Sequence, residues 1–289
     1  MVSIMTIPNF LQAQIFDGFT TQKGDLSVTA AYTYSTFDEF YFGTEKMNPI
    51  PAHNEITQNI FSLYAKYGIT DNITAVVNLP YIDASGDGDS DPVNTETSVA
   101  DLQDLSIAVK VNAYKLNLKE ADLNLVTGIG FNIPLGYEPN GILSIGSGAF
   151  AVDYTAGLHL NTDVGFFSTL FATYSLRGDA DNNLIPGVDD FSVPNTFTTL
   201  GKIGYASDLF YLEAWAKHTN SEEGVDIGGA GFFGNFPETN VDYSMFGATI
   251  YKNIIPELGV SLGYSQIFDG RNVGASQNYS IGVTYNFTK

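Results

Sequence analysis

Between Gln277 and Phe287 the chain reads QNYSIGVTYNF. Tyr279, Ile281, Val283, Tyr285 and Phe287 fall at one parity, and Asn278, Ser280, Gly282, Thr284 and Asn286 at the other. Successive side chains of a strand point to opposite faces, so this segment has one apolar face and one polar face. The same alternation opens after Asp25, with Leu26, Val28, Ala30, Tyr32 and Tyr34 set against Ser27, Thr29, Ala31, Thr33 and Ser35. Ten further segments repeat it, at 55–67, 73–81, 102–114, 122–133, 149–160, 164–176, 195–206, 209–220, 239–251 and 257–267. No stretch carries a helical period of comparable quality.

The connections alternate in length. Short polar turns such as Gly68-Ile69-Thr70-Asp71-Asn72 and Asn161-Thr162-Asp163 follow the even-numbered predicted strands, and long connections follow the odd ones. A soluble sandwich has no reason to sort its loops by parity, whereas membrane barrels pair short periplasmic turns with long outer loops. Of the eleven prolines, ten fall in predicted loops, turns or the leader, and Pro80 near a strand end. None would then remove a ladder donor from a strand centre. The pattern predicts an all-β fold, a transmembrane antiparallel up-and-down β-barrel of about twelve strands, with both chain ends on the periplasmic side. Residues 14–289 form this one domain, in the outer membrane of a Gram-negative bacterium. Residues 1–13 are apolar and end in Gln12-Ala13-Gln14, which resembles the tail of a secretory signal cleaved after Ala13, though without a basic start.

Composition fits a surface largely out of water. Charged residues are 15% of the chain, against the usual quarter or so for soluble domains, and there are 17 Tyr and 21 Phe. No run of 18 apolar residues is present, so a membrane crossing has to be made by a closed sheet whose backbone groups satisfy one another. Cysteine is absent, which removes disulfide and thiolate chemistry. A net charge of -20 argues against nucleic acid and against a polybasic attachment to lipid. Nineteen of the 32 acidic residues lie in the six long connections, opposed there by Lys46, Arg177 and Arg271. That acidic face would repel anions, and could bridge lipopolysaccharide through divalent cations.

Parity also sorts the charges within strands. Lys66, Lys110, Lys202, Lys217, Asp104, Asp153, Glu213 and His159 fall on the polar, lumen-facing side. A Lys facing lipid at the midplane costs about 2–4 kcal/mol, so inward placement follows from the barrel. These groups form either a selectivity ladder or a set of ion pairs that fills a modest bore. On the same parity Phe167, Phe171, Tyr211, Trp215 and Phe246 line an aromatic lumen track. Small inward residues, Gly128, Gly130, Gly157, Gly259, Gly263 and Gly282, leave space opposite. Ser168 on the outward set marks the seventh strand as the one where a one-residue slip would exchange the faces.

Two other chemistries find little support. Asp83, Asp87, Asp89 and Asp91 superficially resemble a calcium loop, but counting from Asp87 the sixth and twelfth places hold Pro92 and Ser98 instead of Gly and Glu. No metal or cofactor is expected. A barrel lipid hydrolase needs a histidine beside a serine on the outer wall. Of His53, His159 and His218 only His218 could face outward, and no nucleophile motif accompanies it.

The stretches 64–82 (YAKYGITDNITAVVNLPYI), 100–114 (ADLQDLSIAVKVNAY) and 128–158 (GIGFNIPLGYEPNGILSIGSGAFAVDYTAGL) resemble an outer-membrane family of phenol-degradation (meta-pathway) transporters. That family commonly carries Gly-Leu-Gly-Asp after the second long loop, where this chain has Asp101-Leu102-Gln103-Asp104. The resemblance implies an outer-membrane barrel that takes up small, often aromatic compounds. The expected function is therefore a channel for passive uptake of a small apolar or aromatic solute. A structural or adhesive barrel and, further off, a barrel lipid hydrolase are the alternatives. Expected partners are outer-membrane lipid, lipopolysaccharide and the solute. The oligomeric state is left open.

Overall fold

The computed structural model describes residues 16–50, 52–91, 93–182, 190–207 and 210–287. The expected leader, 1–13, lies outside the described residues. Twelve strands form the wall: β1 (Leu26–Phe37), β2 (Glu55–Thr70), β3 (Ile73–Asp87), β4 in two segments (Ser98–Leu102 and Leu105–Asn117), β5 (Ala121–Ile133) and β6 (Ala151–Thr162). They continue with β7 (Phe166–Arg177), β8 (Thr196–Ala206), β9 (Phe210–Ser221), β10 (Asp242–Ile255), β11 (Leu258–Arg271) and β12 (Gln277–Phe287). Each pairs antiparallel with its sequence neighbour, and β1 pairs with β12 from Leu26↔Phe287 to Thr36↔Gln277, which closes the sheet. Closure leaves no unpaired edge to face lipid.

The expected alternation is present around the wall. On β12, Tyr279 is 49% exposed and Ile281 47%, whereas Ser280 is 7% and Thr284 0%. Leu63, Val77, Ile107, Leu125, Leu158, Leu170, Ile203, Ile250 and Leu262 continue the outward apolar belt. Polar side chains on the inner face pair across strands, as Thr29 with Thr284 (2.8 Å) and Thr155 with Thr173 (2.8 Å). The strands beside the short turns extend a few residues beyond the predicted bounds; β2 reaches Thr70 and β6 Thr162.

Pro80 lies well inside β3, opposite Ser62, because that strand continues to Asp87. Next to it β4 breaks at Gln103–Asp104, beside the one β3 residue that has no N–H to give. Gln103 N–H donates to the Pro80 carbonyl at 2.9 Å. The break falls in Asp101-Leu102-Gln103-Asp104, the step at which the sequence lacks the glycines of the family it resembles.

Candidate functional site

Residues 16–22, before β1, enter the barrel from the short-turn end. Phe16 and Asp17 are buried, and Gly24 N–H donates to the Gly68 carbonyl at 2.8 Å, which holds the arm at the rim. Asp17 is the meeting point of the lower lumen. Lys66 Nζ donates to its Oδ2 at 2.7 Å, and Lys110 Nζ to its Oδ1 at 2.5 Å. Lys110 also donates to the backbone carbonyls of Asp17 (3.1 Å) and Phe19. One carboxylate and two carbonyls thus satisfy two ammonium groups that are each 2% exposed, a burial that needs such partners.

Aromatic packing completes this floor. Phe19 meets His159 and Phe167 edge-on at ring separations of 4.5 and 5.1 Å, and Phe167 stacks on Tyr211 at 5.3 Å. Tyr211 Oη donates to Glu213 Oε2 at 2.5 Å, and Lys202 Nζ lies 3.5 Å from the same oxygen. His159 Nδ1 pairs with Thr169 Oγ1 at 2.8 Å. Higher up, Phe16, Phe171, Leu200, Trp215 and Met245 share one apolar cluster. Much of the space the inward glycines leave is filled: a Cβ on Gly128 would lie 2.6 Å from the Phe16 ring, and one on Gly157 2.3 Å from Phe171.

Phe246 is a correction to the aromatic track. It is 43% exposed on the outer face, 5.8 Å from the Phe268 ring, while Met245 and Gly247 point inward. The Trp215 ring occupies the space beside Gly247, where a Cβ would lie 2.4 Å from Cζ2, so the glycine must be the inward residue and Phe246 the outward one. The seventh strand keeps the expected faces, and Ser168 lies outside. The remaining four aromatics point inward, but as packing around the arm and mid-lumen.

Above the cluster the lumen opens. A cavity of about 290 Å³ is lined by Asp153, Thr155, Thr173, Arg177, Lys217 and Tyr243, among others. A second, of about 430 Å³, extends from it among the long loops; Asp104, Ser147, Arg177, Val241 and Tyr243 line both. Asp153 accepts from Asn132 Nδ2 (2.8 Å) and Ser175 Oγ (2.5 Å), and Asp104 from Tyr137 Oη (2.6 Å). Burial and the neighbouring Asp104 raise the Tyr137 phenol above its ordinary value, which keeps it a donor. Lys217 Nζ stands 4.8 Å from the Tyr243 ring centre. Arg177, assigned from sequence to an acidic loop, is the last residue of β7 and turns inward on the parity of Thr173 and Ser175.

The eight charged residues picked from sequence therefore lie in two layers. Lys66, Lys110, Lys202, Glu213 and His159 surround the arm; Lys217, Asp104 and Asp153 line the upper chamber. Asp17, Phe16, Phe19, Arg177, Tyr137 and Tyr243 were missed. A lone acid in Phe-Asp-Gly-Phe just before the first strand, facing a lumen with surplus lysines, was the available signal for the arm.

On the outer wall His218 Nδ1 lies 2.9 Å from Ser244 Oγ, a neighbour that sequence reading did not find. Among the described residues, no group of three His, Cys, Asp or Glu could hold a metal ion.

A closed wall, belted by apolar side chains and enclosing a polar, cation-bearing lumen, defines a twelve-stranded transmembrane barrel of the outer-membrane type. Residues 52–281 match the family described as "Putative MetA-pathway of phenol degradation", and the chain belongs to that family. Among solved structures it is similar to the COG4313 outer membrane channel from Pseudomonas putida F1, with a TM-score of 0.76 and 17% identity over 95% of this chain and 100% of the other. The NanC porin is a more distant likeness, with a TM-score of 0.50 and 12% identity over 90% of this chain and 98% of that one. No curated protein matches.

Proposed function

We propose that the protein is a channel in the outer membrane of a Gram-negative bacterium for passive uptake of a small, apolar or aromatic solute that carries a polar group. The observation that carries this reading is the pair of joined cavities, a vestibule among the long loops that leads into a chamber inside the wall. A purely structural or adhesive barrel has no need of such a space. The chamber stops at the apolar cluster and the arm, so passage requires Phe16, Asp17 and Phe19 to shift from their places. Flux would be diffusive, and no covalent chemistry is required for it. Outer-membrane lipid would meet the apolar belt, and lipopolysaccharide the acidic loops. Reconstitution in planar bilayers and liposomes tests the reading: conductance and swelling in benzyl alcohol support it, and a barrel that passes neither ions nor this solute overturns it.

A further inference from the structure

The upper chamber contains two cations and two carboxylates, and Asp153 and Asp104 act on Arg177 from beyond ion-pair distance. Both oxygens of Asp153 are taken by neutral donors, Asn132 and Ser175, and Asp104 accepts from Tyr137. Among the described residues no carboxylate oxygen comes within ion-pair distance of the Arg177 guanidinium, and no side-chain oxygen accepts from it. Its backbone is fixed, with Arg177 N–H donating to Asn195 Oδ1 at 2.9 Å, and its side chain lines both cavities at their junction. Lys217 lies on the same chamber, against Tyr243.

A guanidinium presents donors in a planar fork and accepts nothing, so its natural complement is a planar, acceptor-only group. The chamber's own acids, Asp153 and Asp104, offset its charge from a distance but stand outside ion-pair reach, which leaves the fork itself open to a ligand. We propose that the chamber is a recognition site for a small organic carboxylate, with the carboxylate on Arg177, Lys217 adding positive charge, and an apolar ring resting toward the Phe171–Trp215 cluster below. This deepens the channel reading and rests on it. The cavity of about 290 Å³ lies at the lower edge of small-molecule sites, about 300–1,000 Å³, which limits the ligand to roughly one ring. The acidic loops slow the entry of such an anion, but exposed charges are screened over about 8–10 Å at ordinary salt. Benzoate uptake therefore rises with ionic strength while the preference of the chamber persists.

Binding and passage are measured separately on the purified, folded barrel. By fluorine NMR, 4-fluorobenzoate binds wild type and 4-fluorobenzyl alcohol binds more weakly. Arg177→Gln weakens the acid about tenfold or more, the loss expected for one charge-assisted pair, and weakens the alcohol far less. Arg177→Lys, which keeps the charge, recovers part of the affinity, and heat-modifiable migration verifies that each variant is folded. Equal binding of acid and alcohol, or acid binding that ignores Arg177→Gln in a folded barrel, overturns the proposal. Liposome flux of benzyl alcohol tests the channel reading independently: flux without Arg177-dependent benzoate binding removes only the carboxylate site, and binding without flux removes only the channel.

Discussion

Lys66 Nζ lies 2.7 Å from Asp17 Oδ2, a contact between the wall and a segment 49 residues earlier in the chain. Lys110 reaches the other oxygen of the same carboxylate from a separation of 93 residues. One acid before the first strand therefore ties the arm to two different strands of the barrel.

Replacing Asp17 by Ala would leave both ammonium groups buried without their counter-ion. Removal of one partner from a buried pair costs about 3–5 kcal/mol, and here the arm is the part that can yield. The expected outcome for Asp17→Ala is higher single-channel conductance and a lower unfolding midpoint in urea. Unchanged conductance and stability would show that the arm does not depend on this contact.

Trp215 fills the space over Gly247 in the middle of the lumen. Trp215→Ala should enlarge the passage and raise solute flux. In a dry core such a truncation costs about 3–5 kcal/mol. Water entering the lumen offsets part of that cost, so the measured loss should fall below this range.

Ile281 lies at the middle of β12, on the lipid side and opposite Leu262. Ile281→Lys should destabilise the folded barrel by about 2–4 kcal/mol in bilayers, the cost of a midplane Lys facing lipid. Urea titration in liposomes measures it, and a negligible loss would contradict the belt.

Asp226 accepts from Arg271 Nε (2.7 Å) and Nη2 (2.8 Å), and from Asn272 Nδ2 (3.0 Å), joining two of the long loops. The hydrogen bonds from Arg271 hold the Asp226 carboxyl below its ordinary value. With the folded value depressed, the contribution is present above about pH 4, the ordinary carboxylate range. It is lost as pH falls through the folded value. Both partners are about a third exposed, at 36% and 32%, so the pair contributes no more than about 1 kcal/mol. Arg271→Gln should speed protease cutting within the long loops at neutral pH and leave the unfolding midpoint of the wall nearly unchanged. In wild type, acidification should produce the same loosening.

Strand number, the sorting of short and long connections, and the facing of nearly every wall residue were legible in the order of residues. That is because alternation is a local property: in lipid each strand must put its apolar set outward, whatever its partners. Phe246 was misassigned where the local signal was weakest, since Met245 and Phe246 are consecutive apolar residues. The faces of β10 are settled by the ring of Trp215 from the neighbouring strand. Arg177 stood among acidic loop residues in sequence, and its inward turn follows only from β7 running one residue further than its pattern.

What the chain could not disclose on its own was which inward groups meet. Lumen contacts are set by the stagger of twelve strands and by a preceding arm that folds back inside them, and neither leaves a periodic trace. Hence lysines were readable as lumenal, but not as ligands of Asp17, and glycines as small, but not as seats for Phe16 and Phe171. The split of the lumen into a packed floor and an open chamber likewise emerges only when the strands close, because volume inside a barrel belongs to all of them together.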